Sequence, residues 1–416
     1  MTSSEESLQW AREMISRCIR RHMKCGPGLA SVLPRRVLKI GSDLSVKLVE
    51  TVQNENARYV CISHRWGGAE EMSTTTTTLE AFKNGIAGYK LPKMFQDAVA
   101  YTQRMGIRYI WIDSLCIIQD DSLDWQAESS KMGSYYANSF VTLAATKSTG
   151  NQDSLFSTLQ PKHRHARLGG RSFGKNVNIY ARRALPHCYR GAADDSPLLC
   201  RAWVYQERLL TPRVLHFGSN EMIWECRESA CCEFWPFKES EEYYSYGYQS
   251  PKMVYGNIKF GEPEPGRLQI AWRAMVRTYT SLDITRASDR LPALSGLALQ
   301  MQQQRNDGYL AELWRKTTLR DCLWQNDPLR TEKRPTPWRF PTWSWISVDT
   351  AVNYDGFIPL DAFAYAEVIE VECRPAGTNP FAEVESGHML LSSQLLPRKL
   401  SYEIGDLRGT AQLFPL

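Results

Sequence analysis

The chain contains no stretch approaching the roughly 20 apolar residues that span a bilayer. Its opening, "MTSSEESLQW", is acidic where a secretory signal carries basic residues ahead of an apolar run. The expectation is a cytoplasmic protein without membrane contact. Charge of one sign is also lacking: 50 Lys and Arg stand against 45 Asp and Glu, a net +5 spread along the chain rather than gathered in tails. Nucleic acid is therefore not an expected partner. The local basic run "IRRHMK" at 19–24 is short for a phosphate-binding stripe and reads as a solvated helix face. There is no phosphate loop ending in GK[ST], no GxSxG elbow and no dinucleotide fingerprint. No disulfide framework is expected either, because the eleven cysteines are odd in number and irregularly spaced, which suits reduced thiols in a core. Cys226, Cys231 and Cys232 cluster with His216 upstream, but their spacing fits no standard zinc knuckle, so no metal is expected.

What is present is an ordinary globular composition, 43% hydrophobic and 23% charged, in a chain of 416 residues that can bury a large core. The 13 tryptophans exceed common usage, and part of them are candidates for lining a site.

Ser3 and Ser4 can cap a helix with Glu5 and Glu6 in its first turn and Leu8, Ala11, Ile15, Cys18 and Ile19 on one face. Short strands "LPRRVLKIG" and "LSVKLVET" follow around the turn signal Gly41, Ser42 and Asp43. "RYVCISHRWGG" then places an apolar strand, Tyr59 to Ile62, directly before Ser63, His64, Arg65, Trp66 and a Gly67, Gly68 turn. The threonine run after it reads as a loop over the strand end. "LPKMFQDAVAYTQRMG" is a helix with Pro92 in its first turn and Gly106 as C-cap, and "IRYIWI" a second buried strand ending at Asp113. Strand, helix and parallel strand make a βαβ unit, with the two strands side by side or nearly so. Open α/β sheets bind ligands at the carboxyl edge, where Ser63 to Trp66 and Asp113 to Cys116 fall. A helix through Glu128, Met132 and Tyr135 and the strand "SFVTLAAT" complete this layer.

Beyond it come the strands "VNIYARRAL", "RVLHFG" and "MIWECRE" with the helix "RAWVYQERLL" among them, a loop or mobile segment at 240–266, and helices over 267–325. The strand-like "PTWSWISVD", "AYAEVIEVEC" and "HMLLSSQLL" follow. The expected divisions are 1–54, an N-terminal helix and short strands on the core; 55–160, the α/β core; and 161–416, a mixed continuation packed as one body with it.

Three stretches together, "YVCISHRWGG", "LPKMFQDAVAYTQRMGIRYIWIDSLCIIQDDSLDWQAESSKMGSYYANSFVTLAA" and "LLCRAWVYQERLLTPRVLHFG", resemble the fungal HET domain, named for heterokaryon incompatibility. The segments "DRLPALSGLA" and "PTWSWISVD" look like the flanks such proteins carry. The resemblance implies a fungal origin and a role in non-self recognition that ends in programmed cell death. It also implies likeness to the TIR fold, some members of which hydrolyse NAD with a glutamate on a helix near the sheet edge; Glu128 is the residue that topology suggests. The expected fold is accordingly α/β, a TIR-like or flavodoxin-like mostly parallel sheet with helical and β-rich additions, α+β overall. One departure is that no nucleotide-oligomerisation module, ankyrin or propeller repeat is apparent. The chain is expected to act alone, as a homo-oligomer or with a protein partner in trans.

Chemically, His64 has the reference pKa for general acid or base work, and a histidine at a strand end is equally a structural hydrogen-bonder. Cys116, three residues past Asp113, is a candidate nucleophile or an inert core thiol. Asp113 ends a very apolar strand and should meet a partner, for which Arg65 or Arg201 is the choice. Gln119 and the acids Asp120 and Asp121 read as site or as helix cap. Arg201 could hold an anion and Trp203 stack on a ligand, or both could pin their helix to the layer. Trp343 and Trp345 alternate on an expected strand, as core or as the wall of an aromatic pocket. Three functions follow: a cell-death protein with a site that binds or cleaves NAD, the latter as substrate rather than cofactor; a small-molecule enzyme of secondary metabolism with His64 as acid or base; and a non-catalytic interaction module.

Overall fold

In this computed structural model the described residues are 1–67, 72–164, 166–167, 170–172, 175–177, 180–181, 196–233, 250–261, 266–326, 340–354, 365–376, 381, 384–394, 398–401 and 412–415. The chain forms two compact units, Met1–Phe260 and Gly261–Leu416. The first takes in the expected segments 1–54 and 55–160 and the start of the third.

The first unit is built on one eight-stranded sheet. Its strands are β1 (Arg36–Ile40), β2 (Val46–Glu50), β3 (Val60–Ser63), β4 (Tyr109–Trp111), β5 (Val141–Ala144), β6 (Arg213–Phe217), β7 (Met222–Cys226) and β8 (Ala230–Cys232). Their spatial order is β8-β7-β6-β5-β3-β4-β1-β2. The four central strands are parallel, with Val60 opposite Ile110 on one side of β3 and Val141 on the other. Antiparallel hairpins close both edges. Among the parallel strands the chain goes from β3 to β4, returns to β5 on the other side of β3, and continues to β6. That is the flavodoxin-like order 2-1-3-4, in which the winding reverses beside the first strand.

Among the described residues the α-helices of this unit are α1 (Glu5–Arg21), α2 (Leu79–Asn84), α3 (Lys93–Arg104), α4 (Asp113–Cys116), α5 (Ser122–Ser129), α6 (Met132–Asn138), α7 (Ala202–Leu210) and α8 (Pro251–Phe260). Ser4 caps α1, its hydroxyl accepting from Ser7 N at 3.2 Å, and Leu8, Ala11, Met14, Ile15 and Cys18 form the buried face. Pro92 sits at the N-cap of α3, one residue earlier than its expected place in the first turn. Gly106, at φ +78°, follows the C-cap Met105, a backbone conformation that costs glycine little. β3 is apolar up to its last residue, Ser63, because helices cover both its faces: Val60, Cys61 and Ile62 are fully buried. Trp111 of β4 is also fully buried and meets Tyr136 of α6 edge-on at 5.7 Å.

The threonine run is a turn held over α4: Thr74 Oγ1 donates to Leu115 O at 2.6 Å, and Thr76 donates twice to Asp120. Of the expected strand 177–185 only 177, 180 and 181 are described, in short pairings. The expected loop at 240–266 needs correction where it is described, since its apolar positions wind as α8; 240–249 and 262–265 lie outside the described residues.

The second unit contains α9 (Arg267–Thr280), α10 (Pro292–Arg305) and α11 (Thr318–Asp321), with the long antiparallel pair β9 (Ala366–Pro375) and β10 (Val384–Ser393). The expected strand at 341–349 is instead a turn followed by a 3-10 helix, Trp345–Ser347, because the Ser344 hydroxyl caps it by accepting from Ile346 N. The two indoles therefore do not alternate on a pleat. Trp345 is core, packed edge-on against Tyr279, and Trp343 is half-buried with its carbonyl accepting from Trp324 Nε1 at 2.9 Å. No described helix is long and apolar enough to cross a membrane.

Candidate functional site

The carboxyl end of β3 lies between those of β4 and β5, at the reversal of winding. Ser63 ends the strand, and its hydroxyl donates to Glu207 Oε2 at 2.5 Å. Glu207 arrives from α7, which packs on the sheet through Val204 against Ala144 of β5 and Val214 of β6. One turn further along that helix the carboxyl points at β3. Burial pushes Glu207 up to about 7, assisted by the nearby negative charge of Asp113; the hydrogen bond from Ser63, contact with the Tyr136 hydroxyl and the proximity of His64 oppose the rise without cancelling it. Tyr136 has one hydroxyl proton and donates it to Ile62 O at 3.0 Å. A protonated Glu207 can therefore donate in turn to the Tyr136 oxygen, giving every polar atom of this buried group a partner.

Beside it, His64 Nδ1 lies 3.7 Å from Asp113 Oδ1, and the imidazole meets Phe95 edge-on at 5.0 Å. Asp113, expected to meet Arg65 or Arg201, takes Trp66 Nε1 on Oδ2 at 2.8 Å and its neighbour's Ser114 N on Oδ1 at 2.8 Å. The indole of Trp66 is 40% exposed, whereas His64 is 7% and Glu207 5%. A ligand would approach from the Trp66 side. Gln119 braces the floor, its amide donating to Asp113 O and Ile117 O. Arg65 is half-buried between His64 and Trp66 in sequence; Arg201 occupies the N-cap of α7, and Trp203 stands one turn before Glu207 on that helix.

Two expected site residues have other surroundings. Glu128 is buried on α5, accepting from Tyr135 at 2.8 Å and Lys131 at 3.3 Å, with Arg35 Nη1 3.8 Å away. Its neighbour Asp124 pairs with Arg36 of β1, whose Nε donates to Cys116 O at 2.7 Å. These ion pairs join β1 to α5. Cys116 is fully buried, and burial pushes its thiol up to about 12, far from a thiolate. Asp121 caps α5 through Leu123 N and Asp124 N. Trp343 and Trp345 belong to the second unit.

Glu207 is the residue that local reading overlooked. The available signal was a single acid, four residues after Trp203, in a short helix otherwise rich in apolar residues.

Residues 59–207 match the family model of the heterokaryon incompatibility protein (HET). This segment is a HET domain. Its match opens on Tyr59 at the head of β3 and closes on Glu207, so the HET domain contains Ser63, His64, Trp66, Asp113 and Glu207 together. No curated protein and no solved structure matches the chain. The HET domain associates the chain with heterokaryon incompatibility and a function related to cell death.

Proposed function

We propose that the HET domain acts in a cell-death response through acid–base chemistry on a small ligand at the carboxyl edge of β3. The observation that carries this reading is Glu207: a buried carboxyl titrating near neutrality, bonded to Ser63 and adjacent to Asp113 and His64, at the point where the sheet reverses its winding. Such a group is costly to keep for packing alone.

NAD is the substrate to test. Loss of nicotinamide passes through an oxocarbenium-like state, which a carboxylate stabilises, and hydrolysis needs a base for water. Glu207 in its ionised form supplies both functions, and the exposed Trp66 offers a ring for stacking. The role earlier assigned to Glu128 passes to Glu207, since Glu128 is held by Tyr135, Lys131 and Arg35. The test is nicotinamide release from NAD followed by chromatography. Release that falls about 100- to 10,000-fold in Glu207→Gln and persists in Glu128→Gln supports the reading. No release from folded wild-type protein removes NAD.

A second reading is favoured by the His64–Asp113 pair, which resembles an oriented imidazole base. It makes the protein a small-molecule enzyme in which His64→Ala, rather than Glu207→Gln, abolishes turnover of its own substrate.

A further inference from the structure

Away from this edge, the C-terminal end of α1 brings together four metal-binding side chains. Cys18 lies in the last turn of α1, His22 is its C-cap, and Cys25 ends the 3-10 turn Met23–Cys25. The fourth, Cys226, is the last residue of β7. One ligand atom from each, three Sγ and one imidazole nitrogen, all lie within 4.8 Å of one another, and Cys226 Sγ is 3.3 Å from His22 Nδ1. A tetrahedral zinc with ordinary bond lengths spaces its ligand atoms about 3.6 to 3.8 Å apart. The four ligand atoms thus lie near the spacing that one zinc ion requires, and none of the three cysteines is in a disulfide. The spacing C-x3-H-x2-C passes unnoticed in sequence because it overlaps the basic run and its fourth member is two hundred residues away.

Charge points the same way. Arg213 and Arg227 are buried beside the cluster. Arg213 Nη2 donates to Cys25 O at 3.0 Å and Gly26 O at 2.6 Å, and Arg227 Nη1 donates to Lys24 O at 2.9 Å. These partners are neutral carbonyls, and the Nε atoms of both arginines have no hydrogen-bond partner among the described residues. Buried guanidinium groups need a compensating negative charge. Three thiolates around a dication would leave one net negative charge beside these two groups. The turn is also held on both sides: Lys24 N donates to Glu228 Oε1 at 2.6 Å while its carbonyl receives Arg227. Such outer-shell bonds orient metal ligands.

We propose that Cys18, His22, Cys25 and Cys226 bind a structural zinc ion that fastens α1 to β7. Soft thiolates with one imidazole in tetrahedral array select zinc over the oxygen-seeking cations, and four protein ligands leave no open position for catalysis.

The experiment is metal analysis by mass spectrometry of the full chain, purified under reducing conditions without chelator, with release by a mercurial reagent into a chromogenic chelator. The expected result is one equivalent of zinc in the wild type, less than a fifth of it in Cys226→Ser and His22→Ala, and full loading in Cys231→Ser, a neighbouring cysteine outside the cluster. Where Cys226→Ser does not fold, cobalt replaces zinc in the wild type. Intense visible bands with thiolate-to-cobalt charge transfer support the site; a pale six-coordinate spectrum overturns it. Wild-type protein that carries no zinc, and takes up none tighter than His22→Ala does, overturns it as well.

Discussion

Ser63 and Glu207 stand 144 residues apart in the chain and share a 2.5 Å hydrogen bond at the carboxyl end of the central strand. Neither element that carries them determines this contact alone. β3 supplies a hydroxyl where its apolar run stops, and α7 supplies a carboxyl because Val204 fixes the helix on β5 and β6 one turn earlier. The carboxyl enters a region where water is excluded and Asp113 already carries negative charge, so it holds its proton to near neutral pH.

That displacement has a signed consequence for stability. The folded state binds the Glu207 proton up to about 7, while the unfolded chain releases it near the ordinary glutamate value. The stabilisation is complete below the unfolded value and is lost as pH rises through about 7. It amounts to roughly 3 kcal/mol across that window. Urea midpoints measured from pH 4 to 8 are expected to fall more steeply in the wild type than in Glu207→Gln, which has no proton to lose. Parallel curves would contradict the shift.

The same titration acts oppositely on turnover. If Glu207 works as the base, kcat/KM for nicotinamide release climbs with pH and levels above about 7, because the free enzyme must ionise it first. A profile that is flat or falls through this range assigns the group another role.

A second buried network supports α7 from behind. Glu225 of β7 accepts both nitrogens of Arg208, at 2.7 and 2.9 Å, with His216 Nε2 at 3.1 Å and Ser250 alongside. Glu225→Ala removes the buried carboxylate that receives Arg208, His216 and Ser250 together and is expected to cost about 3–5 kcal/mol in chemical denaturation. The exposed pair Lys83–Glu80 serves as the comparison: Glu80→Ala should leave the denaturation midpoint close to that of wild type.

Much of this architecture is legible in the chain itself. The apolar runs at 59–62 and 109–112, with an amphipathic helix and Gly106 between them, specify parallel strands and the edge at which His64, Trp66 and Asp113 meet. What local pattern cannot convey is which later helix packs against that edge. Glu128 and Glu207 are both helical glutamates near the layer; the entry to β1 places Arg35 beside the first and Arg36 on its neighbour Asp124, and the docking of α7 gives the second to Ser63. Tertiary placement, set by side-chain packing between distant segments, decides between them. The Cys18, His22, Cys25 and Cys226 cluster is hidden for the same reason.

Cys116 is expected to be chemically silent. With its thiol pushed up to about 12 and no exposed surface, it forms no thiolate at neutral pH. Alkylation of native protein followed by peptide mapping should leave Cys116 unmodified until denaturant is added, and Cys116→Ala should retain turnover. Rapid native labelling would return it to the list of nucleophiles.

Trp66 and Trp111 separate binding from folding. Trp111 is fully buried between Tyr135 and Tyr136, so its truncation to alanine opens a cavity and is expected to cost about 3–5 kcal/mol. Trp66 is 40% exposed and held mainly through its Nε1 bond to Asp113, so Trp66→Ala should cost no more than about 1 kcal/mol. Under the proposed function this exposed indole, tethered to Asp113 at the switch point of the sheet, stacks on the ligand rather than filling the core. On that reading, Trp66→Ala is expected to keep its thermal midpoint close to that of wild type while losing ligand-dependent protection. If the variant instead unfolds with the losses of Trp111→Ala, Trp66 is a brace for the loop and the approach to Glu207 lies elsewhere.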